Sequence, residues 1–217
     1  MSNPIGEPGQ ELNLAALPGQ GAAGGPETPA RQAATVILLR DRAHKLEVLL
    51  VRRTPQARFM GGVWVFPGGA VDAGEGDGDD AHRAAAIREL REEAAIVLED
   101  PRALVKFSRW ITPAAVKVRF DTHFFLAALP DGQEPKVDGE ECVDLGWFTP
   151  AAALEAHRRE QIVLVFPTIK HLEQLSEFEA VEELLSYARG REVQPIQPRV
   201  VLEGEVARVL LPGEPGY

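Results

Sequence analysis

Three glutamates, Glu89, Glu92 and Glu93, stand at i, i+3 and i+4 of an Ala/Leu-rich stretch, directly after Arg88. On a helix these positions share one face. Like charges on one face repel, and a divalent cation resolves the repulsion. Hard cations such as Mg²⁺ prefer oxygen ligands. The plain alternative is a solvated helix face, where ion pairs with Arg88 and Arg91 are worth under about 1 kcal/mol. The context favours chemistry. Gly68 and Gly69 form a turn just after a short apolar strand and upstream of the helix. Glycines let backbone approach a ligand closely and adopt dihedrals closed to other residues. A carboxylate-bearing helix beside such a turn suits a metal and a diphosphate.

The elements that must position these groups can be read along the chain. Residues 33–40 and 46–53 are two β-branched apolar runs around a polar turn, and they predict a hairpin. Residues 63–66 predict a short strand, and residues 79–94 the carboxylate helix. Residues 104–111, 116–128 and 142–148 predict further strands. Thr149 and Pro150 open a short helix at 151–157, as a cap followed by proline. Residues 166–188 predict one or two helices with a break near Ser176. Their stripe of Ile169, Leu172, Leu175, Phe178, Val181 and Leu184 or Leu185 suits core packing or a homodimer contact. From Val193 the chain turns extended and proline-rich, with a hairpin at 200–211 that packs on the domain. The fold class expected is α/β, a mixed-sheet α/β/α sandwich with extra C-terminal helices.

Residues 1–30 are rich in Gly, Pro, Ala and Gln and are expected to form a flexible tail. Gly19, Gly21 and Gly24 spell G-x-G-x-x-G, but no strand precedes them, so the dinucleotide reading fails. The 217 residues carry a formal charge of −10, which argues against a grip on nucleic acid. No stretch approaches the roughly 20 apolar residues of a membrane span, and the opening residues, without a basic start or an apolar run, are not expected to act as a secretory signal. One cysteine, Cys142, excludes an intrachain disulfide and suits the cytoplasm. It reads as a small strand residue and not as a nucleophile.

The stretch from Gly69 to Ile96 resembles the Nudix box, G-x5-E-x7-R-E-U-x-E-E-x-G-U, in which U is a bulky aliphatic residue. Gly69, Glu75, Arg88, Glu89, Leu90, Glu92, Glu93 and Ile96 match it. Two departures stand out. Twelve residues separate Glu75 from Arg88, so five are inserted, and Ala95 replaces the last glycine. The insertion is expected in the loop before the helix, where Asp79 or Asp80 could cap the N-terminus. If position 95 is left-handed, alanine costs roughly 1 kcal/mol there.

The resemblance implies the Nudix fold and hydrolysis of a nucleoside diphosphate derivative with Mg²⁺ or Mn²⁺. It implies metal ligation by Glu89, Glu92, Glu93 and the Gly69 carbonyl, and a catalytic set of Glu93, Glu89 and Arg88. Glu141, in the acidic loop before Trp147, joins that set as the loop candidate for accepting a proton. Residues 49–69 are similar to the coenzyme A signature L-L-T-x-R-[SA]-x3-R-x3-G-x3-F-P-G-G. Leu49, Leu50, Arg53, Arg58, Gly62, Phe66, Pro67, Gly68 and Gly69 match it, while Val51 and Thr54 depart. Residues 110–113 and 119–125 resemble the peroxisomal-type coenzyme A diphosphatases and their bacterial relatives. The substrate-binding set expected is therefore Arg53, Arg58, Gly68, Gly69 and Arg119, since guanidinium pairs bidentately with phosphate. The products would be 3′-phospho-ADP and (acyl) 4′-phosphopantetheine. ADP-ribose, NADH or dinucleoside polyphosphates remain alternative substrates, and a ligand-binding module without turnover the alternative class.

Overall fold

The computed structural model describes residues 28–57, 60–203 and 206–217. Nearly all of the expected N-terminal tail therefore lies outside the described residues. The hairpin is β1 (Arg31–Arg42) and β2 (Lys45–Arg53), paired antiparallel with Leu39 opposite Val48. Short strands β3 (Trp64–Val65) and β4 (Gly68–Ala70) follow, then helix α1 (Gly78–Ala94). Next come β5 (Val105–Ile111), β6 (Phe120–Ala128) and β7 (Cys142–Phe148). Helices α2 (Pro150–Arg158), α3 (Phe166–Leu175) and α4 (Val181–Arg189) complete the second layer. The chain ends with β8 (Pro195–Ile196) and a separate hairpin of β9 (Arg199–Glu203) and β10 (Val206–Leu210).

The main sheet runs β3-β2-β1-β6-β5-β8, with β4 paired to β1 and β7 to β2. It is mixed, because β1 and β6 are parallel while β5 and β6 are antiparallel. Alternation along β1 decides what each layer buries. Val36 and Leu38 pack under α1 with Ala85, Ala86 and Leu90, whereas Ile37 and Leu39 pack under α3 and α4 with Leu172 and Leu184. The result is an α/β/α sandwich. Among the described residues no helix is long and apolar enough to cross a membrane.

Several expectations change at the element ends. The strand expected at 63–66 is shortened to Trp64–Val65, and Gly68 and Gly69, expected as a turn, lie in β4, which pairs with β1. The strand expected from Val116 starts at Phe120. Val116 N–H closes a turn onto Pro113, and Thr112 Oγ1 accepts from Phe120 N–H at 3.0 Å. The helical stripe at Ile169, Leu172, Leu175, Val181, Leu184 and Leu185 is buried within the chain, with Phe178 partly buried against it, which is the core packing of the two readings. The C-terminal segment joins the same core through Val209 and Leu211.

Ala95 ends α1 in the left-handed region, at φ 56° and ψ 25°. Its N–H bonds Arg91 O at 3.0 Å, the single C′-to-C3 bond of an αL ending that favours glycine, and Ile96 N–H bonds Leu90 O at 3.4 Å. The side chain is exposed, so nothing is lost by trimming it. Ala95→Gly is expected to stabilise the fold by about 1 kcal/mol, or roughly 2–4 °C in Tm by calorimetry. A lower Tm would contradict this backbone account.

His171 is 1% exposed, hydrogen-bonds Ser108 Oγ at 2.6 Å, and sits with its ring centroid 4.3 Å from that of Phe124. Burial holds its pKa down at about 3, against an ordinary 6.5. His123, stacked at 3.8 Å on His82, is held down at about 4, first by burial and then by that neighbour. Between pH 6.5 and 4 the unfolded chain therefore binds protons that the native chain refuses. Stability falls with acidification there, by on the order of 1 kcal/mol per pH unit for each histidine. Tm measured from pH 7 to 4 should drop accordingly, and His171→Gln should make that limb shallower. An unchanged slope in the variant would contradict the assignment.

Candidate active site

The helix reaches the sheet through small residues. Ala81, Ala85, Ala86 and Ala94 bury one side of α1 together with Leu90, and this close approach brings Glu93 down to 2% exposure. Glu93 Oε2 accepts from Gly68 N–H at 2.9 Å. Its other oxygen, Oε1, is buried without a hydrogen-bond partner and lies 3.7 Å from Arg53 Nη1. Burial pushes the Glu93 carboxyl up to about 7, against the pull of Gly68 N–H and Arg53. Glu89 is also raised, by burial first, while Arg88 opposes the shift and Glu92 and Glu141 add to it.

The two glycines act through space and not through dihedral angle, since neither has a positive φ. A Cβ on Gly69 would stand 2.1 Å from Glu89 Oε1. One on Gly68 would stand 2.4 Å from Thr35 Oγ1 and 2.5 Å from the Ala34 carbonyl, across the β1–β4 pairing. The expectation of unusual dihedrals at these glycines is thus replaced by one of close packing.

Arg88 organises the carboxylates. Its Nε donates to Glu75 Oε1 at 2.8 Å and its Nη2 to the Ala70 carbonyl at 2.9 Å. Nη1 bridges Glu89 Oε1 at 2.8 Å and Glu92 Oε2 at 3.1 Å. Like-charge repulsion on this face is therefore relieved in part by Arg88 itself, which revises the argument that a cation must do it. Glu75 meets Arg88 despite the insertion. Gly78 to His82 lie inside α1, so most of the inserted length adds a helical turn instead of lengthening the loop. Asp77 holds the cap position, without a side-chain bond. Asp79 and Asp80 fall in the first turn, and Asp79 pairs with Arg83 and Lys106. Neither caps the helix as expected.

Glu92 keeps 52% of its side chain exposed at the edge of the cluster. Glu141 is exposed and lines the same cavity. Its loop is fixed by Asp138, which accepts from Glu141 N–H at 2.8 Å and Cys142 N–H at 2.9 Å. Sequence reasoning passed over Asp138, although Asp-Gly ahead of a strand is a turn signature. Cys142 is fully buried, and burial pushes its thiol well up, as befits a packing residue.

Glu89, Glu93, Glu141, Arg53, Gly68 and Gly69 all line one cavity of ≈ 690 Å³. Arg53 sits at a bulge of β2, where the register to β7 shifts. Arg58 lies outside the described residues. Arg119 corrects the expected binding set. It is buried, donates to the carbonyls of Thr112 at 3.0 Å and Thr28 at 2.7 Å, and does not line the cavity. Its guanidinium ties chain segments together.

Among the described residues no three His, Cys, Asp or Glu side chains form a closed cage for a cation. An open site is another matter. Mg²⁺ keeps several waters and is bound through one or two carboxylates plus substrate phosphate. The unpartnered Glu93 Oε1, beside half-buried Glu89 at the cavity wall, is a donor of that kind. The residues present fit a hard divalent ion.

Comparison with known proteins agrees with this geometry. The NUDIX domain family model matches residues 29–166. A nudix hydrolase of Caenorhabditis elegans, nudix hydrolase 7, is 27% identical over 207 residues, covering 79% of this chain and 68% of that protein. The acyl-coenzyme A diphosphatase of Homo sapiens is 24% identical over 274 residues, covering 81% of this chain and 73% of that one. The crystal structure of a NUDIX hydrolase from Alicyclobacillus acidocaldarius superposes with a TM-score of 0.66 at 28% identity, over 73% of this chain and 96% of that chain. The fold, the box carried on α1 and the match over most of the chain lead to one conclusion: the protein belongs to the NUDIX domain family.

Proposed function

We propose that this Nudix protein hydrolyses the diphosphate of coenzyme A or an acyl-coenzyme A, releasing 3′-phospho-ADP and the corresponding 4′-phosphopantetheine. The observation that carries the chemistry is the buried, unpartnered Glu93 Oε1 beside Glu89 and Arg53 at one end of the cavity. The substrate class is supported by the signature at residues 49–69 and by similarity to the human acyl-coenzyme A diphosphatase.

Glu89, Glu92 and Glu93, with the Gly69 carbonyl, are the residues that would hold Mg²⁺ or Mn²⁺. When bound, the cation supplies charge neutralisation at the diphosphate and a more acidic water. Gly68 N–H fixes one Glu93 oxygen so that the other faces the ligand position. Arg53 steadies a phosphate oxygen through its guanidinium. Arg88 holds Glu89 and Glu92 in place without touching substrate. Glu141, which lines the same cavity as Glu89 and Glu93, accepts the proton of the attacking water. Water adds to phosphorus in line, and the bridging P–O bond breaks toward the opposite phosphate.

The test is a comparison of kcat/KM for coenzyme A, acetyl-coenzyme A, ADP-ribose, NADH and diadenosine polyphosphates, with Mg²⁺ and with Mn²⁺. The coenzyme A compounds are expected to lead. Faster cleavage of another compound would retain the chemistry and overturn the substrate. No turnover of any of them would favour a binding module.

A further inference from the structure

Helix α3 meets the cavity end-on. Val165 at its cap and Phe166, Pro167 and Thr168 in its first turn are consecutive, and all four line the cavity. Successive residues of a helix are rotated by about 100° around its axis. No one flank of α3 therefore carries all four, and a space that touches each of them lies off the N-terminal end. No side chain caps that end. The first N–H groups of a helix have no intrahelical acceptor. Pro167 has no N–H, which leaves those of Phe166 and Thr168 in this turn.

Two side chains add donors without partners. Thr168 is 3% exposed, and among the described residues its hydroxyl makes no hydrogen bond. Trp110 is 7% exposed, and its Nε1 is buried without a partner. Its ring meets that of Phe166 edge-on, with centroids 6.1 Å apart. Both Thr168 and Trp110 line the cavity. Buried polar groups are as a rule hydrogen-bonded, so two partnerless donors beside one helix end point to an acceptor brought by a ligand. The first turn carries no basic side chain, and a helix end supplies about half a unit charge. A phosphate dianion among aromatic rings needs more compensation than that. A neutral carbonyl does not, because its oxygen is matched by N–H and O–H donors and by the helix dipole.

We infer that the first turn of α3, with Thr168, is a subsite for an amide or thioester carbonyl of the substrate, and that it recognises the pantetheine arm of coenzyme A. The inference rests on the coenzyme A reading of the site, since that arm carries amide carbonyls. Glu89 and Glu93 line the same cavity, so one ligand can meet both groups of residues. Thr168 lies beyond residues 29–166, which the family model matches, and outside the box and the upstream signature.

The experiment separates recognition from turnover. Thr168→Val keeps the shape of the side chain and removes the hydroxyl, whereas Thr168→Ser keeps the hydroxyl. Calorimetry with Mg²⁺ present measures the binding of 4′-phosphopantetheine and of n-octyl phosphate, a phosphate ester on a flexible chain without a carbonyl. Thr168→Val should lower the affinity ratio of the first over the second by about three- to tenfold, the range of one hydrogen bond. Thr168→Ser should restore the ratio to within about twofold of the wild type. The Tm of Thr168→Val should equal or exceed that of the wild type, because a buried hydroxyl without a partner is removed. A lower Tm with an unchanged ratio would make Thr168 structural and overturn the subsite. Coenzyme A turnover in the wild type, with the ratio unchanged in Thr168→Val, would also overturn the subsite and leave the substrate reading intact. A ratio that falls as expected in a protein that never cleaves coenzyme A would sink the substrate reading and leave the subsite standing.

Discussion

Glu93→Gln is expected to lower kcat by about a thousandfold or more, with the fold intact. A thousandfold corresponds to roughly 4 kcal/mol of lost transition-state stabilisation. The size follows from position. Among the described residues Glu93 contributes the one buried carboxylate oxygen without a hydrogen-bond partner, at the cavity wall, and an amide there is a far poorer ligand for a hard cation. Folding should not suffer, because the Gln amide oxygen can still accept from Gly68 N–H, the bond that ties α1 to β4. The neutral amide also avoids burying a charge. Metal-free Tm is therefore expected to equal or exceed that of the wild type. Kinetics together with Mn²⁺ binding by calorimetry check both halves. Near-normal kcat in Glu93→Gln would remove Glu93 from the centre of the mechanism.

Arg88→Lys should be the second most damaging change, although Arg88 sits behind the reacting groups. One guanidinium serves Glu75, Glu89, Glu92 and the Ala70 carbonyl at once, through three nitrogens pointing in different directions. A lysine offers one nitrogen and no planar fork, so it cannot span them. Its carboxylate partners hold the Arg88 charge firmly, and the pKa is raised accordingly, Glu75 being the largest cause. The expected result is about a hundredfold loss of kcat and about 1–3 kcal/mol of stability from partners left unpaired. A positioning role also predicts weakened Mn²⁺ binding, because Glu89 and Glu92 lose their fixed orientation. Loss of stability with unchanged metal affinity and kcat would make Arg88 a purely structural residue.

How far the chain could be read beforehand depended on how local each feature is. The hairpin and α1 follow from short-range periodicity, and their ends fall within two residues of expectation. The break between α3 and α4 at Ser176 was legible for the same reason. β8 was not, because a two-residue strand exists only through its pairing with β5 far upstream. Neither spacing nor composition reveals that Arg119 would turn onto backbone carbonyls, since burial belongs to the assembled sheet. Of the three glutamates expected on one face, Glu89 and Glu93 line the cavity while Glu92 stays half exposed, and the electrostatics of the face were not legible. The bridging of Glu89 and Glu92 by Arg88 depends on side-chain geometry that a face diagram omits. Ala95 shows the opposite case, where one residue in a known turn position announced its own strain.

The most direct test of the central claim is hydrolysis of coenzyme A by the wild type in ¹⁸O-labelled water with Mg²⁺, with the products resolved by mass spectrometry. Attack of water on the diphosphate predicts 3′-phospho-ADP and 4′-phosphopantetheine, with one ¹⁸O in one of the two products and none in the other. Addition of EDTA should abolish both products. Recovery of intact coenzyme A, or loss of the 3′-phosphate with the diphosphate uncut, would contradict the account.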